Sequence, residues 1–166
     1  SLVGCFTFIN LHLAAEPYGL GSSDLANIYM VYLIGMVITP LFTQIISRFG
    51  AKKTVLMAVS LSMVGVVATL ATPLWGIVLA LAIMSTGVFI TQAATISYIA
   101  KNVTQNRSLA SGLYYMGYYT GGTIGAPVCG LAYARGAWGM TVLTLLAVQV
   151  FALLVASYIM VARKAA

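Results

Sequence analysis

From Leu74 to Ala100 not one side chain is charged, and the same holds for 25–46, 54–71, 109–134 and 138–161. A helix needs roughly 20 apolar residues to cross the hydrocarbon core of a bilayer. Inside lipid the backbone must satisfy its own hydrogen bonds, which leaves helices or closed barrels, and barrel strands are about half this length. These runs therefore predict transmembrane helices. A sixth, shorter apolar run, Leu2 to Ala15, ends at Glu16-Pro17. The fold expected is all-α: a polytopic membrane helical bundle whose six spans, about 2–15, 25–46, 54–71, 74–100, 109–134 and 138–161, make one domain of residues 1–166.

Only 6% of the 166 residues are charged and 61% are hydrophobic, whereas soluble domains carry roughly 25% charged residues. The net charge of +6 does not indicate nucleic acid. Its basic residues sit at the ends of apolar runs and form no stripe with interleaved aromatics. Threading six spans puts Arg48, Lys52, Lys53, Lys101, Arg107, Arg163 and Lys164 on one side, with Arg135, Glu16 and Asp24 on the other. Short basic loops stay on the cytoplasmic side. A multi-pass protein of the inner (plasma) membrane with a cytoplasmic C-terminus is expected. Cys5 and Cys129 fall inside apolar runs at no metal-binding spacing, so neither metal nor cofactor is expected. Ser1 opens within an apolar run with no basic region ahead of it, which reads as part of a longer chain rather than as a signal peptide.

A shift of 87 positions pairs Tyr32 with Tyr119, Gly35 with Gly122, Pro40 with Pro127, Arg48 with Arg135, and Thr54-Val55-Leu56 with Thr141-Val142-Leu143. Seven identities fall in 25 ungapped positions, where ordinary residue usage gives roughly two by chance. The shift relates the second span to the fifth and the third to the sixth. Units of three helices enter the membrane from opposite faces, so a three-plus-three inverted repeat follows, the architecture on which secondary transporters build alternating access.

The loop Ser47-Arg48-Phe49-Gly50-Ala51-Lys52-Lys53 resembles the basic motif between the second and third helices of each half of the major facilitator superfamily, with Arg48, Gly50, Lys52 and Lys53 in the motif positions. In the N-terminal half of that family the residue before the arginine is usually Asp, and the fourth helix often carries an Arg. Ser47 and the uncharged 74–100 run depart from both, so the resemblance is to a C-terminal half. The fifth span, with Gly117, Gly121 and Gly125 ahead of Pro127, is similar to the glycine-proline motif of the bacterial drug/metabolite efflux proton antiporters. Small residues at four-residue spacing let helix backbones approach, and proline bends the span there.

The resemblance implies that the first, second, fourth and fifth helices face a central cavity while the third and sixth face lipid. Substrate-contact candidates are then Asn10, Tyr29, Tyr32, Met36, Gln92, Tyr115 and Tyr118, with Thr39, Thr43, Ser85 and Thr95 at compatible spacing. Tyrosines, a methionine and a few amides suit an amphipathic organic molecule; equally, such side chains serve helix–helix hydrogen bonds or interface anchoring. His12 and Glu16, four apart, predict an interfacial pair. No acid lies within a span, so a proton-carrying carboxylate is expected in the N-terminal half. The function expected is half of a secondary active transporter exporting a small organic compound by proton antiport. Its partners are that substrate, protons, the lipid bilayer and the N-terminal half. Alternatives are a scaffold or channel subunit and a half-size transporter acting as a homodimer. An enzyme is not expected: a serine hydrolase needs a histidine-activated serine, and the single His sits near a span end with no Gly-x-Ser-x-Gly elbow.

Overall fold

A computed structural model of the chain describes residues 1–38 and 48–162. Among them are five α-helices and no strand: α1 Leu2–Ala14, α2 Ser22–Ile38, α3 Ala51–Ala68, α4 Leu74–Asn102 and α5 Arg107–Ala162. Three of these, α3, α4 and 107–158 of α5, are long and apolar enough to cross a membrane.

Local chemistry sets the ends. Gly50 takes φ +80°, a left-handed conformation that costs other residues a steric clash, and turns the chain into α3. Its carbonyl accepts the Thr54 backbone N–H at 3.2 Å and the Thr54 hydroxyl at 2.9 Å. The helix therefore starts three residues ahead of the span predicted at 54, and Lys52 and Lys53 lie inside its first turn. Pro73, which has no N–H to donate, precedes α4. Within α5 the helical geometry fails at Gly136 (φ −155°, ψ 31°) and Ala137 (φ 49°, ψ −145°), which divides it into arms of 107–135 and 138–162. These arms coincide with the predicted fifth and sixth spans, and Pro127 lies inside the first. Pro40 of the repeat, Thr39 and Thr43 of the compatible-spacing set and Ser47 of the loop motif lie outside the described residues, as does the Met36 side chain.

Contacts set the directions. Phe6 and Asn10 of α1 meet Tyr32 and Tyr29 of α2 respectively, so that pair is antiparallel. Val3 lies near Gly122, and Phe8 near Gly130 and Tyr133, so the first arm of α5 runs with α1. Trp138 Nε1 donates to the Thr69 carbonyl at 3.2 Å and Gln149 Nε2 to Ser62 Oγ at 3.0 Å, so the second arm runs against α3. One end of the bundle gathers Glu16, Asp24 and the break beside Arg135: the Tyr18 hydroxyl donates to the Thr72 carbonyl at 2.7 Å and the His12 ring stacks on Trp138 at 5.7 Å. The starts of α3 and α5 and the end of α4 put Arg48, Lys52, Lys53, Lys101 and Arg107 at the other end. Because α1 stops at Ala14, Glu16 leaves the helical face that would align it with His12, whose ring packs between Tyr18 and Trp138 instead.

Helices approach most closely between α3 and α4. A Cβ added at Gly65 would lie 2.5 Å from the Met84 nitrogen, and one at Gly87 would lie 2.6 Å from the Ala58 carbonyl. Gly35 plays the same part between α2 and α4, against Ser85 and Thr86. The 117/121/125 stripe differs from the close packing its spacing predicts, since an added Cβ at any of the three meets nothing within 4 Å among the described residues. Buried polar groups, including Thr69, Ser85, Thr141 and Gln149, point inward. Val37, Met57, Val64, Leu113, Met116, Ile124, Leu131 and Phe151 are exposed. That inversion of the soluble pattern is what a lipid solvent permits.

Candidate functional site: a cavity between the helices

Between α4 and the two arms of α5 lies a cavity of about 930 Å³, near the upper end of the ~300–1,000 Å³ common for small-molecule sites. Phe89, Thr91 and Gln92 come from α4, Tyr114, Gly117, Tyr118 and Gly121 from the first arm, and Tyr32 reaches in from α2. Tyr32 is held edge-on by Phe6 at 5.5 Å and by Phe89 at 4.9 Å, so its orientation is set by packing on two sides. Tyr118 is flanked by Tyr119 at 5.5 Å and Tyr114 at 6.5 Å, which gives the wall a cluster of ring faces. The bare backbone at Gly117 and Gly121 leaves the space beside those rings open. No Asp, Glu, Lys, Arg or His side chain is among the described lining residues.

The cavity brings together Tyr32, Gln92 and Tyr118 of the sequence candidates. Asn10 and Tyr29 lie outside it. Asn10 Nδ2 donates to the Phe6 carbonyl and to the Tyr29 hydroxyl, a bond that ties α1 to α2, and Tyr29 is half exposed. Tyr115 is exposed beside Tyr119 and also lies off the cavity. Ser85, another position of compatible spacing, is fully buried under Gly35 and donates to the Ala82 carbonyl. In the loop motif, Arg48 lies over the Phe49 ring at 5.9 Å at the far end of α3, and Gly50 supplies the turn.

Two elements line the cavity that the family pattern assigns to lipid. Val59 and Ser62 come from α3, and Val148, Gln149 and Ala152 from the second arm of α5. Gln149 escaped the sequence reading because it sits alone in a long apolar run. The signal was present in that isolation, since a carboxamide inside a membrane span is costly unless it is turned inward.

The family profile described as Major Facilitator Superfamily matches residues 3–166. The chain belongs to that superfamily. Among relatives, it is similar to an uncharacterized transporter of Buchnera aphidicola subsp. Baizongia pistaciae (strain Bp), 23% identical over 83% of this chain and 34% of the relative. The MFS-type transporter YybF of Bacillus subtilis (strain 168) is 25% identical over the same shares, and an uncharacterized transporter of Buchnera aphidicola subsp. Schizaphis graminum (strain Sg) is 27% identical over 75% of this chain and 30% of the relative. The chain thus spans about a third of the length of the curated relatives it matches. No solved structure matches it. Superfamily membership together with the long apolar helices makes this a helical membrane protein.

Proposed function

We propose that the chain is the C-terminal six-helix half of a secondary active transporter of the drug/metabolite efflux branch. It moves a small amphipathic organic molecule across the inner membrane by alternating access, in exchange for protons, with the C-terminal end in the cytoplasm. The observation that carries this is the bond between Ser62 and Gln149. These residues are 87 positions apart, the same shift that pairs the two repeats in sequence. In a structure with two-fold symmetry, a residue touches its own counterpart where the axis passes. A second pair supports the same axis: the contact of Thr69 with Trp138 becomes, under the shift, a contact of Ala156 with Ala51, and both alanines pack on the cluster of Val55, Val59 and Ala94. The repeats also run in opposite senses, α2 against the first arm of α5 and α3 against the second. An axis lying in the membrane plane beside a cavity is the arrangement from which inverted repeats produce alternating access.

The five described basic residues at one end, against Arg135 at the other, support a cytoplasmic assignment for that end. Ser47 in the loop motif and the uncharged 74–100 run support the C-terminal half. A cavity with no described carboxylate supports placing the proton-carrying group in the other half. The test is counterflow of a labelled compound by the full-length protein in proteoliposomes, joined to cysteine accessibility at Tyr32 and Tyr118. Accumulation against the gradient, with each position labelled from both faces, is the expected result. Labelling from neither face removes these residues from the pathway. Absence of counterflow for every compound the protein binds removes the carrier.

A further inference from the structure

A buried carboxamide with an unused acceptor is uncommon, because an unmade hydrogen bond in a low-dielectric interior costs about 1–3 kcal/mol. Gln149 is 5% exposed. Its Nε2 donates to Ser62 Oγ at 3.0 Å, and its Oε1 has no partner among the described residues. The residue is among those that line the cavity. Across the cavity, Thr91 already gives its hydroxyl proton to the Gly87 carbonyl at 2.8 Å. No charged side chain is among the described lining residues, so an ion entering here would shed water without a side chain of opposite charge to meet it. A neutral molecule meets the opposite conditions: ring faces at Tyr114 and Tyr118, open glycine backbone between them, and one acceptor awaiting a donor.

We propose that Gln149 recognises a neutral hydrogen-bond donor, a hydroxyl, phenol or amide N–H, on a ring-bearing molecule held in this cavity, with Ser62 as the residue that positions its amide. This rests on the carrier function proposed above and adds to it the chemistry of the cargo. Ser62 holds the amide by its N–H end, which leaves Oε1 as its unpaired acceptor among the described residues.

The test uses the full-length protein in proteoliposomes. Ala152→Cys, on the same wall and three residues from Gln149, reports occupancy through its rate of reaction with a maleimide, after labelling of the parent protein is subtracted. The probes are 4-phenylphenol and its methyl ether, matched for concentration in the bilayer. The phenol is expected to slow labelling at about a tenfold lower concentration than the ether, the discrimination that a hydrogen bond of about 1.4 kcal/mol gives. Gln149→Met should bring the ratio close to one. Gln149→Glu, which accepts in either protonation state, should restore most of it. If Gln149→Met does not fold, the phenol–ether comparison in the Ala152→Cys protein decides alone. Equal protection by the two probes, protection by neither, or no labelling of Ala152→Cys because protein fills the cavity, each overturns the assignment. Phenol selectivity in a protein that shows no counterflow would uphold Gln149 and remove the carrier.

Discussion

Replacing Gly65 by Ala forces a choice between separating α3 from α4 and distorting both. The added Cβ would sit 2.5 Å from the Met84 nitrogen and 2.8 Å from Met84 Cα, backbone atoms that cannot rotate away. Ordinary contact begins at 3.4 Å, so the helices must part by about 0.9 Å there. A gap of that size forfeits a quarter to a half of the dispersion energy of the atoms it separates, each pair worth ~0.1–0.2 kcal/mol. For roughly 50 atom pairs around the crossing the loss is about 2–4 kcal/mol. Alanine's helix propensity returns about 1 kcal/mol, leaving a net cost of about 1–3 kcal/mol. Gly87→Ala, 2.6 Å from the Ala58 carbonyl, should cost a similar amount. The double variant should cost less than the two together, since one separation relieves both. Gly117→Ala and Gly121→Ala meet nothing within 4 Å and keep only the propensity gain. Thermal unfolding of the full-length protein in detergent reads the difference as a lower unfolding temperature. A Gly65→Ala protein as stable as the parent, or a stripe variant less stable than Gly65→Ala, would refute the placement of α3 against α4.

Ala137 holds φ +49° at the break in α5 without being glycine, so Ala137→Gly should raise stability by about 1 kcal/mol, read as a higher unfolding temperature. Ser62→Ala removes the acceptor of a buried amide and should cost about 1–3 kcal/mol. Adding Gln149→Leu to it should recover part of that loss, a coupling that a double-mutant cycle measures. Gly50→Ala places a side chain at φ +80° and should cost about 1 kcal/mol; Lys53→Ala, at an exposed position of the same turn, should stay within about 0.5 kcal/mol.

The long apolar helices were legible because the demand of a bilayer is local. Uncharged runs of the needed length mark helices wherever they occur, and Pro73 bounds one by backbone chemistry that depends on no neighbour. Gly50 was legible for the same reason, as a motif position whose conformation belongs to the residue itself. The repeat shift came from the sequence as a number, and the Ser62–Gln149 bond later coincided with it. Cavity residues were harder to read. Tyr32, Gln92 and Tyr118 reach the cavity, while Asn10, Tyr29 and Tyr115, of equal polarity and spacing, do not.

That division has one cause. In water a polar stripe shows which way a helix faces, but a helix apolar on every side carries no such mark, so its rotation about its own axis is not written along the chain. Rotation is chosen by what packs. Gly65 and Gly87, unremarkable in sequence, bring two helix backbones together, while a Cβ added anywhere on the conspicuous 117/121/125 stripe would meet nothing within 4 Å among the described residues. The same choice turned Gln149 from an isolated amide in an apolar run into the acceptor on the cavity wall. Sequence alone determined that the chain is built of long apolar helices suited to a membrane; packing determined which faces meet, and so where a ligand can be held.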